Sequence, residues 1–208
     1  MKLLLISDTH GHEPELEEAD VLVHAGDLTM NGGQVQVVKA LNWLIDEAHK
    51  FQHVVLIAGN HDFLFEDDPE LVGRWCSERG LTYLSDSGVT IDGVEFWGSP
   101  VQPWFHDWAF NRQRGAEIRK HWDMIPDDTD VLITHGPPSG ILDLTKGGDY
   151  AGCIDLREAA FRVKPKVHAF GHIHEGYGEW SANGTRYYNA SYLDHRYFPV
   201  NKPMVVEV

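Results

Sequence analysis

Three features of the sequence predict an α/β protein with a site at one end of a layered sheet. Short, wholly apolar runs recur along the chain, amphipathic helical stretches lie between them, and His, Asp and Asn gather just past the ends of the runs.

Leu3 to Ile6 leads into Ser7-Asp8-Thr9-His10-Gly11, and Val21 to Ala25 leads into Gly26-Asp27. Val54 to Ala58 leads into Gly59-Asn60-His61-Asp62. Val131 to Thr134 leads into His135-Gly136-Pro137, and Val167 to Phe170 into Gly171-His172-Ile173-His174. Runs this short, rich in Val, Ile and Leu and bounded by Gly or Pro, read as buried strands. Between them, Gln34 to Lys50 sets Val35, Val38, Leu41, Trp43, Leu44, Ile45 and Ala48 largely on one helical face. Pro69 to Arg79 opens on proline and ends at Gly80, and Ile154 to Val163 stops before Pro165. Val89-Thr90-Ile91 and Val94-Glu95-Phe96-Trp97, joined by Asp92-Gly93, form a hairpin. Arg186 to Asn189 and Met204 to Val208 read as closing strands, whereas Gly98 to Pro126 is Trp-rich, irregular and suited to a binding rim.

The length, 208 residues, suits one domain spanning 1–208, and an apolar fraction of 42% is that of a packed core. A net charge of -15 argues against long nucleic acid as a partner, since displacing its counterions needs clustered Lys and Arg. A small phosphate ester stays open to an acidic chain when metal ions supply local positive charge. Cys76 and Cys153 are isolated, which points to a reducing compartment and excludes a CxxC knuckle. The apolar start at Leu3 to Ile6 is too short for a signal peptide, and no stretch nears the roughly 20 residues of a membrane span. A cytoplasmic protein with no membrane partner is expected; the oligomeric state is not legible.

The polar residues carry the chemistry. In open α/β sheets ligands bind beyond the carboxyl ends of strands. Five runs deliver Asp8 and His10, Asp27, Asn60 with His61, His135, and His172 with His174 to that position. One histidine at a strand end is more often a satisfied polar residue than a ligand; the whole set in order is not coincidence. Carboxylate, imidazole and amide without thiolate suit Mn first, with Fe, Zn or Co as alternatives, rather than Ca or a structural zinc. The ligands exceed the needs of one ion, so two divalent ions are expected, with Asp27 bridging. Two such ions against Asp8 and Asp27 leave a charge of about +2, enough for a hydroxide and a phosphate ester anion.

The order Asp8-x-His10, Gly26-Asp27, Gly59-Asn60-His61-Asp62, Thr134-His135 and Gly171-His172-x-His174 resembles the calcineurin-like metallophosphoesterase superfamily over residues 3 to 174. The resemblance implies a sandwich of two sheets flanked by helices (αββα). It implies that Asp8, His10, Asp27 and His174 hold one metal, and Asp27, Asn60, His135 and His172 the other. His61, with Asn60 at the substrate, is then no ligand but the acid that protonates the leaving oxygen after a metal-bridging hydroxide attacks phosphorus.

Gly26-Asp27-Leu28-Thr29, His135-Gly136-Pro137-Pro138, Gly171-His172-Ile173-His174-Glu175-Gly176-Tyr177-Gly178 and Asn189-Ala190-Ser191 resemble the metallophosphoesterase-domain-containing (MPPED) proteins. That resemblance implies a phosphodiesterase acting on small diesters, with 2′,3′- or 3′,5′-cyclic nucleotides the expected substrates. Some animal members carry Gly in place of His172 and are weakened, so His172 implies an intact second metal site. Protein phosphatases read GDxxDRG where Met30 and Asn31 stand here, which argues against that activity and leaves His61 without an assured carboxylate partner. A phosphomonoesterase on the same scaffold and an inactive nucleotide-binding or scaffold protein are the rival expectations.

Weaker candidates are His12 near the first block, and Asn111, Arg112 and Arg114 in the irregular segment. Trp97, Trp104, Phe105, Trp108 and Phe110 suit either packing or stacking on a base. His24 and His168 lie inside strands and read as core residues, and Gly136-Pro137-Pro138 as a rigid turn after His135.

Overall fold

Leu3 and Leu5 face one way along the first strand, Leu4 and Ile6 the other, and both faces are buried. Strands covered on both sides explain why the apolar runs are continuous rather than alternating. The computed structural model describes residues 1–208. In chain order its strands are β1 (Lys2–Ile6), β2 (Val21–Ala25), β3 (His53–Ile57), β4 (Thr82–Tyr83), β5 (Ser87–Ile91), β6 (Val94–Ser99), β7 (Gln102–Pro103), β8 (Asn111–Arg112), β9 (Val131–Thr134), β10 (Val167–Phe170), β11 (Gly178–Ala182), β12 (Thr185–Asn189) and β13 (Met204–Glu207). The helices are α1 (Gln34–Glu47), α2 (Phe63–Asp67), α3 (Pro69–Ser77), α4 (Ala116–Trp122) and α5 (Ile154–Val163).

One sheet has the order β13-β1-β2-β3-β4 and the other β11-β12-β10-β9-β6-β5. β1 to β4 run parallel, as do β6, β9, β10 and β12; β13, β11 and β5 close the edges antiparallel. Between the sheets, Leu3, Leu5, Val23 and Val55 pack with Phe96, Ile133 and Ala169. Outside the first sheet, Leu4, Ile6, Leu22 and Leu56 meet Val37, Leu41 and Leu44 of α1 and Val72 and Cys76 of α3. Outside the second, Leu132, Phe170 and Tyr187 meet Ile118 and Trp122 of α4 and Leu156, Ala160 and Val163 of α5. The result is the expected α/β sandwich, two sheets flanked by helices.

The five strands expected to present ligands, the hairpin and the three long helices stand within a few residues of the expected bounds. One face is corrected: Val35 is 82% exposed, and the buried stripe of α1 is Val37, Ala40, Leu41 and Leu44. Those positions follow i, i+3, i+4, i+7, whereas Val35, two residues and so about 200° from Val37 around the helix, lies on the opposite side. The irregular segment contains α4, which buries only Ile118 and Trp122 and so shows little periodicity. Both cysteines are buried thiols; the Cys153 sulfur accepts from Leu156 N–H at 3.4 Å and caps α5. No helix is long and apolar enough to cross a membrane.

Candidate active site

The two sheets join at the site itself. Ser7, the last residue before Asp8, donates its N–H to Ala190 O at 2.9 Å and accepts from Tyr192 N–H at 2.8 Å. The carboxyl ends of β1, β2 and β3 are thereby set against those of β9 and β10. Four of the expected ligands leave their strands in the left-handed region: Asp8, His10, Asp27 and His172 have φ of 55°, 45°, 54° and 68°. Non-glycine residues take that conformation rarely, and tertiary bonds hold them here. Asp8 N–H reaches Gly26 O and His10 N–H reaches Asp27 O, each at 3.0 Å.

Glycine precedes Asn60 and His172 for want of room. A Cβ at Gly59 would clash with Asp27 Oδ1 and, at 2.6 Å, with the His135 ring. A Cβ at Gly171 would overlap Asp8 Oδ2 and the Ser7 side chain.

Imidazole after imidazole is oriented by the backbone. His10 Nδ1 pairs with Thr29 O at 3.1 Å, His135 Nδ1 with Ala25 O at 3.0 Å, and His174 Nδ1 with Asp194 O at 2.9 Å. With Nδ1–H donating to a carbonyl, each Nε2 is turned to the centre, the usual arrangement of a ligating histidine. Asp27 Oδ2 lies 3.6 Å from His10 Nε2 and 3.4 Å from His135 Nε2, and Asp8 Oδ1 lies 3.4 Å from His174 Nε2. Asn60 Oδ1 is 2.9 Å from His135 Nε2.

Ligand atoms of Asp8, His10 and His174 lie within 4.8 Å of one another, as do those of Asp27, His135 and His172, and of His10, Asp27 and His61. The donor set fits divalent cations on two further grounds. His10 Nε2 is buried with no hydrogen-bond partner. The buried carboxylates also draw positive charge to themselves. Burial alone would lower the pKa of His135 and His174, yet Asp27 and Asp8 respectively raise each to about 9. His172, without such a close partner, is pushed by burial down to about 3.

His61 stands apart. Its Nδ1 donates to Met30 O at 2.7 Å, its Nε2 is 4.0 Å from Asp27 Oδ2, and its ring lies 4.3 Å from that of Trp108, centre to centre. A backbone carbonyl thus occupies the place where a carboxylate partner was in doubt. Asp62 faces away from the imidazole and accepts from Leu28 N–H, Thr29 N–H, Thr29 Oγ1–H and Gly59 N–H at 2.8–3.1 Å. It ties the Asp27 loop to the Asn60 loop.

A cavity of about 470 Å³ opens over this centre. Asp27, Asn60, His61, His172 and His174 form its floor, and Trp104, Phe105, Trp108 and Tyr197 line its walls. The remaining candidates sort by burial. Trp97 and Phe110 are core residues, so only Trp104, Phe105 and Trp108 of the aromatic set are at the cavity. Arg112 is paired with Glu66 at 3.1 Å, and Asn111 donates to Phe105 O and His106 O. Arg114 is on the cavity wall, its guanidinium donating to Gly152 O and Ala151 O at 2.8 and 2.9 Å. His12 is an exposed loop residue. His24 and His168 are buried, paired with Thr9 and Thr134 hydroxyls at 3.0 and 2.8 Å. Gly136 and Pro137 line the cavity.

Sequence reasoning missed Tyr197, Asn189 and Ser191 as parts of the site. Ser191 Oγ lies 2.9 Å from Asp8 Oδ2, and Asn189 Nδ2 donates to Ile173 O at 2.8 Å, between the two histidines of that loop. The Asn189-Ala190-Ser191 match was the only signal for the pair; nothing local marked Tyr197.

Fold and site together define a metal-binding phosphoesterase, and comparison with known proteins agrees. The calcineurin-like phosphoesterase family model matches residues 1–176, and the chain belongs to that family. Human metallophosphoesterase domain-containing protein 1 is 38% identical, with all of this chain covering 71% of it. A Caenorhabditis elegans UPF0046 protein, K07C11.7, is 40% identical over 92% of this chain and 69% of its own length. Among solved structures, a Thermus thermophilus protein shares the fold with a TM-score of 0.63 at 14% identity, over 90% of this chain and 88% of that one. A structure described as a novel archaeal phosphodiesterase has a TM-score of 0.50 at 16% identity, over 99% of this chain and 100% of its own.

Proposed function

We propose that this phosphoesterase is a dinuclear, metal-dependent phosphodiesterase of small diesters, cyclic nucleotides (2′,3′ or 3′,5′) foremost. The observation that carries the reading is Asp27, which belongs to clusters on both sides of the centre. Asp8, His10, Asp27 and His174 would hold one ion, and Asp27, Asn60, His135 and His172 the other, Mn being the first choice. When bound, such a pair supplies Lewis acidity and water of lowered pKa.

The chain's own residues do the rest. Anchored through Nδ1 on Met30 O, His61 has its Nε2 side free to carry a second proton and give it to the leaving alkoxide oxygen. Asn60 stands beside it on the cavity floor, where it can meet the substrate. The walls formed by Trp104, Phe105 and Trp108 suit the planar face of a nucleobase. A volume of about 470 Å³ is in the range of small-molecule sites. The unpaired buried thiols suit a reducing, cytoplasmic setting.

The test is chelation with EDTA followed by Mn addition, with rates on bis-p-nitrophenyl phosphate and p-nitrophenyl phosphate. Loss and recovery of diesterase activity, with the diester preferred, is expected. Full activity after chelation sinks the metal mechanism, and preference for the monoester makes the protein a phosphomonoesterase. A metal-loaded protein inert toward both would be a binding or scaffold protein.

A further inference from the structure

Tyr197 lies beyond residue 176, where the family match ends, yet it stands among the histidines of the site. Its ring centre is 4.9 Å from that of His10, 5.2 Å from His174 and 6.4 Å from His61, and it lines the same cavity.

The placement is built. Asp194 O accepts from Tyr197 N–H at 2.8 Å and also from His174 Nδ1 at 2.9 Å, so one carbonyl fixes both residues. The Asp194 carboxylate accepts from the N–H groups of Arg196 and Phe198, each at 2.9 Å, and closes the turn. Tyr197 itself has φ of 63°, a conformation that a bulky residue keeps only where its surroundings impose it.

The phenol is uncommitted. Among the tyrosines only Tyr177 donates its hydroxyl to the protein, to Lys202 O. Arg114 is the only Arg or Lys lining the cavity, and two of its N–H groups are held by the Gly152 and Ala151 carbonyls.

We propose that Tyr197 is a substrate-positioning residue whose hydroxyl donates a hydrogen bond to a non-bridging phosphoryl oxygen. The inference rests on the phosphoesterase reading and adds to it a residue that holds the phosphoryl group.

The experiment compares Mn-loaded wild type, Tyr197→Phe and Tyr197→Ala. It measures hydrolysis of bis-p-nitrophenyl phosphate, calorimetric binding of inorganic phosphate, and metal content. Tyr197→Phe keeps the ring and should keep the wild-type metal content and Tm. It should lose about tenfold in kcat/KM, with a rise in KM, and about as much in phosphate affinity, the loss expected of one hydrogen bond. Tyr197→Phe within twofold of wild type in both measurements overturns the proposal, even if Tyr197→Ala is impaired, because the ring is then only a wall. A wild type inert toward the diester is a failure of the diesterase reading; phosphate binding still decides whether the hydroxyl holds a phosphoryl group.

Discussion

The backbone N–H of His172 points at both carboxylate oxygens of Asp8, at 3.1 and 3.0 Å, across 164 residues of chain. The contact exists because Gly171 lets the second sheet's loop come down onto the end of the first strand.

Gly171→Ala should therefore damage stability and metal binding together. Its Cβ overlaps Asp8 and Ser7 in a fully packed place, and about 2–4 kcal/mol of destabilisation is expected. Thermal unfolding and metal analysis check both effects. Gly73→Ala is the control. That glycine sits within α3 with nothing within 4 Å of an added Cβ, and substitution should be neutral or stabilise by up to about 1 kcal/mol.

His61→Asn removes the proposed acid without touching the seven proposed ligands. A fall in kcat of about 10²–10⁴ is expected, with metal content unchanged. The effect should shrink on an ester whose leaving group is acidic enough to depart unprotonated. Steady-state rates on aryl and alkyl diesters give the answer. An equal loss on both would take the acid role away from His61.

Asp62→Asn should cost about 2–4 kcal/mol although Asp62 is no expected ligand. An amide sets its NH₂ against donors that now point at a carboxylate, leaving buried N–H groups unpaired. Urea unfolding measures the loss. Wild-type stability would show that the bonds between the Asp27 and Asn60 loops do not hold the site together.

Asp155 gives a pH-dependent prediction. Burial raises its pKa, but Arg119, with Nη2 at 2.7 Å, and Gly115 N–H at 2.9 Å outweigh that and lower it. A depressed carboxylate stabilises the fold above its unfolded pKa of about 3.9, and that contribution is lost as pH falls through the folded value. Asp155→Asn should cost about 1 kcal/mol at pH 7, since Arg119 is half exposed and screened. The gap should stay constant down to about pH 5 and close below about pH 4. Unfolding curves of both proteins across that range check the sign.

The sequence by itself determined the strands and their polar ends. A strand buried on both faces must be a continuous apolar run, and the break to Asp8, Asp27, Asn60, His135 or His172 marks where it stops. Periodicity likewise found α1, α3 and α5, but α2, with five residues, and edge strand β11, with Trp180 exposed, carry no such signal. Only the tertiary structure decided what those polar residues meet. The Met30 carbonyl behind His61, the turn of Asp62 towards the Leu28 and Thr29 backbone, and Tyr197 over His10 are contacts between segments far apart in the chain. Backbone carbonyls have no letter in a sequence, and a lone tyrosine in a polar turn has no period. Local pattern therefore reaches the polar residues at the strand ends and stops short of the groups that orient them.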